Sequence, residues 1–341
     1  MDGPRTIDEL EERLSRPSDA AIATLRELPG DIVILGAGGK MGPSLASMAR
    51  RAADAAGTPR RVVAVSRFSS EAASRSLTER GVDVSRADLA DPAAWRTLPD
   101  AALVVYMVGQ KFGTQGAPGR TWHTNTVIPA FATDRYRDAR FVAFSTGNVY
   151  PLTPVARGGS LEGDAPAPVG EYAMSCLGRE RVFEYAAATW GTRSTILRLN
   201  YAVDLRYGVL VDIARQILVG TPVDVTMGWV NCIWQGDANA LALASLRAAA
   251  APPTVLNLSG PETLRVRDVA VTLAGRLGAN ATIHGQEAPD ALLSNTQALQ
   301  ARWGAPSVSA DALISWVAAW LAAGGETSGK PTRFEQREGA F

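Results

Sequence analysis

Three glycines, Gly36, Gly39 and Gly42, have a spacing that suits binding of a dinucleotide. They follow an apolar run, Ile32–Leu35, and precede an alanine-rich stretch that predicts a helix. Such a turn needs residues that tolerate positive φ and a bare backbone where a pyrophosphate approaches. The N-terminus of the following helix offers N–H groups to the phosphates. The candidate cofactor residues of this turn are Gly36, Gly39, Lys40, Met41 and Gly42.

The residues after the second predicted strand bear on which nicotinamide cofactor would bind. An acidic side chain there binds the ribose 2′-hydroxyl, whereas arginine accommodates a 2′-phosphate. This chain has Ser66-Arg67 and no carboxylate at that point, which favours NADP over NAD unless Arg67 is only a solvated loop residue. Asp88 and Leu89 follow the third strand. They could reach an adenine ring, although an ordinary turn aspartate fits the pattern nearly as well.

The composition argues against several classes of protein. The chain has 34 basic and 34 acidic residues, so no net field directs it to nucleic acid or to an anionic membrane. Its apolar runs are shorter than the ~20 residues that span a bilayer. Two histidines, His123 and His284, lack a carboxylate at ligand spacing, so we expect no metal site. Cys176 and Cys232 make no disulfide framework, which fits a reducing compartment, and we therefore expect a cytoplasmic protein with a small-molecule ligand.

The elements that would position these residues alternate along the chain. Near-continuous apolar strands that alternate with helices indicate a parallel sheet covered on both faces. We therefore predict an α/β fold, a Rossmann-type doubly wound parallel sheet with a smaller C-terminal substrate lobe. The predicted strands are Ile32–Leu35, Val62–Val65, Leu103–Val108, Phe141–Phe144, Thr195–Leu199 and Val255–Leu258. The main predicted helices are Gly42–Ala56, Ala130–Arg137, Leu177–Thr189 and Ala310–Ala322.

The flanking segments complete the predicted organisation. Residues 1–30 form an N-terminal helical extension, a packing arm or a dimer contact, in which Thr6 caps Ile7–Leu14 and Ser18 caps Ala20–Leu28. The predicted cofactor domain comprises residues 31–200 together with residues 233–258. The predicted lobe comprises residues 201–232 and 259–341. The polar, glycine-rich tail, residues 324–341, reads as a loosely ordered arm.

Together these features make the chain resemble the extended short-chain dehydrogenase/reductase family of NAD-dependent epimerases and dehydratases, over roughly residues 30–320. Each motif occurs in the expected order along the alternating pattern. Besides the glycine turn, the resemblance rests on Asp88, Thr124-Asn125-Thr126-Val127, Phe144-Ser145-Thr146-Gly147-Asn148-Val149-Tyr150, Tyr172 and Leu197-Arg198-Leu199-Asn200.

The resemblance implies roles for particular residues. Thr146 would hydrogen-bond the substrate oxygen, and Tyr172 would transfer a proton while the nicotinamide takes or gives a hydride. Ligands would bind over the C-terminal ends of the strands, between the sheet and the lobe. Further candidate cofactor residues are Gly109, Asn125 and Tyr172, and candidate substrate residues are Lys111, Asn148 and Asn200.

One position departs from the family pattern. The family has Tyr-x-x-x-Lys, whereas this chain has Tyr172-Ala-Met-Ser-Cys176. The lysine normally lowers the pKa of the tyrosine and binds the nicotinamide ribose, and a neutral thiol cannot do the first. Three explanations stay open. Lys111 or Arg179 reaches in, the charge of the bound nicotinamide suffices, or catalytic power has been lost. Cys176 thus joins Thr146 and Tyr172 as a candidate catalytic position.

A second departure concerns the substrate. Relatives that act on nucleotide-diphosphate sugars carry an arginine that clamps the diphosphate, but the matching stretch, residues 228–237, has none. It offers Trp229 and Trp234, which suit an uncharged or singly charged ring unless both pack in the core. Arg206 and Tyr207 could instead bind a carboxylate.

We therefore expect an NAD(P)-dependent oxidoreductase, epimerase or dehydratase that acts on a secondary alcohol of a sugar or sugar-like compound. A cofactor-binding sensor or scaffold with little turnover is the alternative, favoured by the missing lysine. The resemblance also implies a homodimer, joined through the helix that carries Tyr172 and its neighbour.

Overall fold

The central sheet determines where ligands can bind. A computed structural model describes residues 2–113 and 116–339, and within them seven parallel strands form one sheet. The strands are β1 (Ile32–Leu35), β2 (Val62–Ser66), β3 (Asp83–Arg86), β4 (Leu103–Tyr106), β5 (Arg140–Thr146), β6 (Arg193–Leu199) and β7 (Thr254–Leu258). Their spatial order is 7-6-5-4-1-2-3. The order reverses between β1 and β4, and doubly wound sheets bind ligands at such a point. The predicted fold class is confirmed.

Helices cover the sheet and build the lobe. They are α1 (Ile7–Leu14), α2 (Asp19–Glu27), α3 (Gly42–Ala56), α4 (Glu71–Glu79), α5 (Pro118–Trp122), α6 (Ile128–Arg135), α7 (Gly170–Trp190), α8 (Val209–Leu218), α9 (Gln235–Ala244), α10 (Val266–Leu277), α11 (Gln297–Trp303) and α12 (Ala310–Ala322). A π-helical turn, His123–Val127, joins α5 to α6. Across the described ranges, none of the helices has the length and apolar character that crossing a membrane requires.

Short strand pairs and 3₁₀ turns connect these elements. The paired strands have two residues each and lie mostly in the lobe. They are Thr153–Pro154 with Asp290–Ala291, Ala202–Val203 with Ile233–Trp234, Val223–Asp224 with Ile283–His284, and Trp229–Val230 with Leu264–Arg265. The 3₁₀ turns are Pro92–Thr97, Gly147–Val149, Val155–Arg157 and Ser245–Ala248.

Apolar layers on both faces of the sheet explain its continuous apolar strands. One layer includes Leu45 and Met48 of α3, and the other includes Phe141 and Phe183. Both faces of β1 and β4 are therefore buried, as in parallel sheets generally. A third core lies in the lobe, where α1 inserts Leu10 among residues of α8, α10 and α12. The N-terminal extension thus packs on the body of its own chain.

Several predicted boundaries needed correction. Helices Gly42–Ala56 and Ala310–Ala322 are confirmed. Helix α7 begins at Gly170 instead of Leu177, because its first two turns are rich in glycine and polar residues and lack an apolar stripe. Strand β4 ends at Tyr106 instead of Val108, where the chain turns into a loop over the strand ends. Most other elements differ from their predicted bounds by one to three residues at either end.

The prediction of a loosely ordered tail was wrong for residues 324–339, whereas residues 340 and 341 lie outside the described residues. The N–H and hydroxyl of Thr332 both donate to Asp212 Oδ2, each at 2.6 Å. Phe334 is buried in the lobe core. The backbone of Gly339 touches Gly170, where a Cβ would lie 2.4 Å from the Gly339 carbonyl oxygen. We call residues 326–339 the C-terminal strap.

A buried ion pair ties α7 to the sheet. Arg198 Nη2 of β6 lies 2.7 Å from Glu180 Oε2 of α7, and the two side chains are 5% and 1% exposed. Ser145 donates to the same carboxylate at 2.5 Å, and Arg198 donates to the Tyr150 hydroxyl at 2.7 Å. Tyr150 in turn donates to Asn257 of β7 at 2.9 Å. The network joins three strands and a helix beneath the strand ends, and each charge in it is costly if left alone.

Replacing Arg198 with methionine is expected to lower the free energy of unfolding by about 3–5 kcal/mol, because it leaves the Glu180 carboxylate buried without its partner. Denaturant unfolding followed by circular dichroism measures the loss. The control is Arg181→Met, which breaks an exposed pair with Glu184 on the same helix and should change stability by about 0.5 kcal/mol or less. Equal stability of the two variants would contradict the role of the buried pair.

Candidate active site

A cleft of about 330 Å³ opens over the C-terminal ends of the strands. Its walls come from the glycine turn after β1, the loop after β4, the end of β5, the first turns of α7, the segment after β6 and the C-terminal strap. The cleft brings together these residues singled out from the sequence: Gly36, Gly39, Lys40, Met41, Gly42, Gly109, Lys111, Thr146, Asn148, Tyr172, Asn200 and Tyr207.

The glycine turn has the bare, tightly packed backbone that the sequence predicted. Gly36 adopts φ +86°, and a Cβ there would lie 2.9 Å from the Val108 nitrogen. A Cβ on Gly42 would lie 2.3 Å from the Ala37 carbonyl oxygen. Larger side chains would therefore push the helix start away from the strand end. The turn fits a pyrophosphate, because it brings backbone close to the cleft where α3 begins.

Asn125 acts on the site through the loop after β4. Its Oδ1 accepts from the Gln110 backbone N–H and from Arg179 Nη2, both at 2.8 Å. Its Nδ2 donates to the Gln110 carbonyl at 3.0 Å and to Ser175 Oγ at 2.9 Å. Asn125 is fully buried and is not part of the cleft wall. It holds Gly109 and its neighbours in place.

The Thr146 and Tyr172 hydroxyls converge at the wall of the cleft. Thr146 ends β5, Tyr172 lies in the first turn of α7, and the two side chains interact by a hydrogen bond. Asn148 donates to Thr146 Oγ1 from both its backbone nitrogen, at 3.2 Å, and its side-chain Nδ2, at 3.0 Å. Because those two donors occupy the Thr146 oxygen, its own hydrogen is directed toward Tyr172 and the cleft.

Two cations lie near Tyr172: the Lys111 ammonium, whose Nζ is 6.0 Å from the centroid of the ring, and the Arg179 guanidinium, which is set deeper in the protein. Arg179 lies one turn beyond Cys176 on α7, and its Nη1 donates to the Phe144 carbonyl at 2.7 Å. Burial raises the pKa of Tyr172 well above its ordinary value, and the Arg179 charge opposes that shift. Burial likewise raises the pKa of the Cys176 thiol. Cys176 is therefore a neutral, buried neighbour of the phenol.

Two lysines occupy the side of the cleft that faces the lobe. Lys40 Nζ lies 3.7 Å from the centroid of the Tyr207 ring, and Lys111 Nζ donates to the Thr332 carbonyl at 3.2 Å. Burial lowers the pKa of Lys111 to about 8. Burial acts on the pKa of Lys40 in the same direction, but Lys40 is an exposed residue, so water reduces the effect there. The Asn200 amide on this wall already donates to Asn231 at 2.9 Å.

Three candidate substrate residues lie elsewhere. Arg206 pairs with Glu11 at 2.7 Å and with Asp204 at 3.1 Å, so its charge is used to fix α1 to the lobe. The Trp234 ring is buried in the lobe core against another tryptophan. Trp229 packs with a small apolar cluster of the lobe. None of the three belongs to the cleft wall among the described residues.

The residues expected near the adenosine lie beside the glycine turn, beyond the cleft. Ser66 Oγ faces Gly38, where a Cβ would lie 2.5 Å away. Arg67 is exposed, and its Nη1 lies 4.0 Å from Asp88 Oδ2. Leu89 is buried in the core of the sheet. The carboxylate of Asp88, in the segment after β3, is thus a partner of the Arg67 guanidinium.

Several other residues of the site belong to no sequence motif that predicts their role. Tyr201 and Thr332 line the cleft, but the first follows a motif without belonging to it and the second lies in the glycine-rich tail. Gln110 also lines the cleft, and its backbone is held by two hydrogen bonds with Asn125, which lies well away in the sequence. The polar partner of Tyr150, Asn257, comes from β7 and has no motif of its own.

Comparisons with known proteins identify the family of the chain. Residues 32–221, more than half of the chain, match the model of the NAD dependent epimerase/dehydratase family. No curated protein matches the sequence.

Solved structures share the fold at low sequence identity. UDP-glucuronic acid 4-epimerase from Bacillus cereus, in complex with UDP-glucuronic acid and NAD, has a TM-score of 0.69 and 17% identity, with 84% of this chain and 98% of that chain covered. The dTDP-glucose 4,6-dehydratase from Bacillus anthracis, in complex with NAD, has a TM-score of 0.71 and 13% identity, covering 85% and 96%. The UDP-Glc/GlcNAc 4-epimerase from Campylobacter jejuni has a TM-score of 0.69 and 20% identity, covering 86% and 98%.

Replacing Gly42 with alanine is expected to raise the Kd for NADPH or NADH at least about tenfold, or ~1.4 kcal/mol, because the new Cβ would collide with the Ala37 carbonyl. Titration followed by nicotinamide fluorescence measures the effect on protein whose circular dichroism matches wild type. The control is Gly275→Ala in α10, where a Cβ meets no atom within 4 Å. An unchanged Kd for Gly42→Ala would refute the assignment of the turn.

Proposed function

Because the chain belongs to the NAD-dependent epimerase/dehydratase family, we propose that it oxidises a secondary alcohol of a sugar or sugar-like hydroxy compound, as a dehydrogenase or as the first step of an epimerisation or elimination. The observation that carries the proposal is the convergence of the Tyr172 phenol and the Thr146 hydroxyl on a cleft that also contains the glycine turn.

The residues of the turn fit the cofactor that this chemistry needs. Gly36, Gly39 and Gly42 would hold the pyrophosphate, and Arg67 would accept a 2′-phosphate, which favours NADP. When bound, the nicotinamide supplies the hydride acceptor and donor. The domain assignment follows the same division: residues 31–200 with 233–258 would bind the cofactor, and the lobe of residues 201–232 and 259–341 would bind the substrate.

Proton transfer is assigned to Tyr172. The Thr146 hydrogen, directed by the two donors of Asn148, would bind the substrate oxygen and the phenol oxygen in turn. Since burial keeps the phenol protonated, Tyr172 is well suited to return a proton to a carbonyl oxygen. To accept a proton from an alcohol it needs nearby positive charge, which Arg179 supplies in part.

Replacing Tyr172 with phenylalanine is expected to lower kcat by about a hundredfold or more while leaving the Kd for the cofactor within about twofold, because only the proton-transferring oxygen is lost. Absorbance of the reduced nicotinamide measures turnover. The control is Tyr185→Phe on the same helix, whose side chain is 63% exposed. Unchanged kcat in Tyr172→Phe would contradict the assigned role.

A cofactor-binding sensor with little turnover is the second candidate, and one observation favours it. Cys176 occupies the position where the family has an ammonium group, and its thiol is neutral. Titration with NADPH and NADH, followed by a screen of sugars and sugar acids, separates the two functions. Binding of cofactor without turnover across that panel would favour the sensor.

Replacing Cys176 with lysine is expected to shift the rising limb of kcat/KM for alcohol oxidation to lower pH by about one unit or more. A lysine four residues after Tyr172 lies on the same face of α7, and its charge favours the phenolate. Oxidation depends on that phenolate and so should rise with pH through the pKa of Tyr172. The pH profile of kcat/KM is the measurement.

The matched control for this shift is Cys176→Ala, which removes the thiol without adding charge. Because the hydrogen bond between the thiol and the phenol raises the pKa of Tyr172, alanine should shift the limb to lower pH, but by less than lysine does. If lysine and alanine at this position gave the same limb, the limb would not report the ionisation of Tyr172.

We also propose a cytoplasmic homodimer. Support for the dimer comes from exposed apolar side chains on α7 and on the neighbouring helical segment, including Met174, Tyr185, Trp122 and Val127. These two segments pack side by side, and exposed apolar side chains on neighbouring helices suit contact with a second copy. The reducing compartment is supported by two buried cysteines that form no disulfide.

A further inference from the structure

The side of the cleft toward the lobe carries two ammonium groups from different parts of the sheet. Lys40 comes from the glycine turn and Lys111 from the loop after β4, and the Asp212 carboxylate of α8 acts on both. Asp212 itself accepts two hydrogen bonds from Thr332. The other groups that act on these lysines are Asp204 and Arg206 at Lys40, and Arg333, Glu335 and Cys176 at Lys111.

The guanidinium on the cleft wall is committed to holding the protein together. Both terminal nitrogens of Arg179 bond protein oxygens, on Phe144 and Asn125. Arg206 is bound by two carboxylates away from the cleft. The cleft therefore offers compact ammonium charges, which suit a single carboxylate, in place of the guanidinium forks that bind a diphosphate in a bidentate manner.

The C-terminal strap closes this side of the cleft. The strap begins beside the lobe, where the Ser328 N–H donates to the Arg206 carbonyl at 2.9 Å. It crosses the cleft at Thr332, which Asp212 holds, and inserts Phe334 into the lobe core. It ends against the start of α7, where Gly339 touches Gly170. An extended substrate that continued along the lobe would have to displace these contacts.

The volume sets a second limit on the substrate. The cleft of about 330 Å³ is bounded by both the glycine turn and Tyr172, so the nicotinamide end of the cofactor and the substrate must share it. Small-molecule sites span about 300–1,000 Å³, and this one lies at the lower end. A nucleotide sugar would add a base, a second ribose and two phosphates to the same space.

We propose that the substrate is a compact hydroxy acid without a nucleotide, whose carboxylate binds Lys111 and whose reacting hydroxyl faces Tyr172. The proposal rests on the function assigned above. Lys111 Nζ lies 6.0 Å from the centroid of the Tyr172 ring, so the carboxylate and the reacting hydroxyl are separated by only a few bonds. This assignment moves the carboxylate from Arg206, which the sequence favoured, to Lys111.

The test uses the full-length protein with NADP⁺ and a defined panel. The panel contains four- to six-carbon aldonates and uronates, the neutral sugars and methyl esters that match them, 6-phosphogluconate with its neutral analogue, and UDP-glucose. Turnover is read from nicotinamide absorbance, and binding is read independently from the thermal shift of the cofactor-loaded protein.

At least one acid is expected to bind and turn over while its methyl ester does neither. Lys111→Met should raise KM and the half-saturating concentration in the thermal shift at least about tenfold, with kcat changed much less, because it removes charge from binding. The matched control, Lys330→Met, alters an exposed lysine of the strap and should match wild type.

KM for the acid should also rise above about pH 8, since Lys111 loses its charge there.

The remaining outcomes separate this proposal from the one on which it rests. Acids that bind in a Lys111-dependent way without any turnover would support the carboxylate site and contradict the proposed enzymatic activity. Turnover of UDP-glucose or a neutral sugar in preference to every acid would support the enzyme and overturn the hydroxy acid. A requirement for the phosphate of 6-phosphogluconate, an unchanged KM in Lys111→Met, or no binding of any acid would overturn it as well.

Discussion

The buried guanidinium of Arg179 is the interaction on which the rest of the site depends. It joins the end of β5, through the Phe144 carbonyl, to the π-helical turn, through Asn125. The same asparagine fixes the loop after β4 by two bonds to Gln110. Three separate pieces of the cleft wall are therefore bonded, directly or through Asn125, to one charged group on α7. The two terminal nitrogens of this guanidinium have their partners in those pieces, and breaking either bond would leave a buried donor unsatisfied at a cost of roughly 1–3 kcal/mol. The pieces therefore resist independent movement.

In the family's motif one lysine both assists the phenol and contacts the ribose. In this chain the two roles are divided between residues. The charge that assists the phenol comes from Arg179, a turn deeper, where it also holds the backbone. A direct contact with a ribose is not available to Cys176, whose thiol is buried. The lysines on the opposite wall stand closer to open cleft than Arg179 does. Electrostatic assistance to the phenol and contact with a ligand thus fall to different residues. Because Arg179 is held by bonds to the protein, it has little freedom to move with the substrate.

Local spacing was enough to predict the fold and the centre of the site, and insufficient to predict its outer wall. The glycine turn, Thr146 and Tyr172 belong to short motifs whose backbone geometry is set within a few residues. Arg206 and Trp234 were placed in the site because their side chains suit a ligand. The sequence does not reveal that Glu11 and a buried ring compete for them. Such competition is decided by partners almost 200 or about 80 positions away, which periodicity cannot detect.

The C-terminal strap is a second part of the site that local sequence patterns do not predict. Its glycine-rich, polar composition predicts disorder, yet one carboxylate, Asp212, and one buried ring, Phe334, are enough to fix it across the cleft. The family match ends at residue 221, so the strap lies outside the part of the chain that carries the shared chemistry. The glycine turn, the Tyr172 phenol and the Thr146 hydroxyl belong to the part of the chain that matches the family. The C-terminal strap limits how far the cleft extends, and it would therefore adapt these shared groups to a particular substrate.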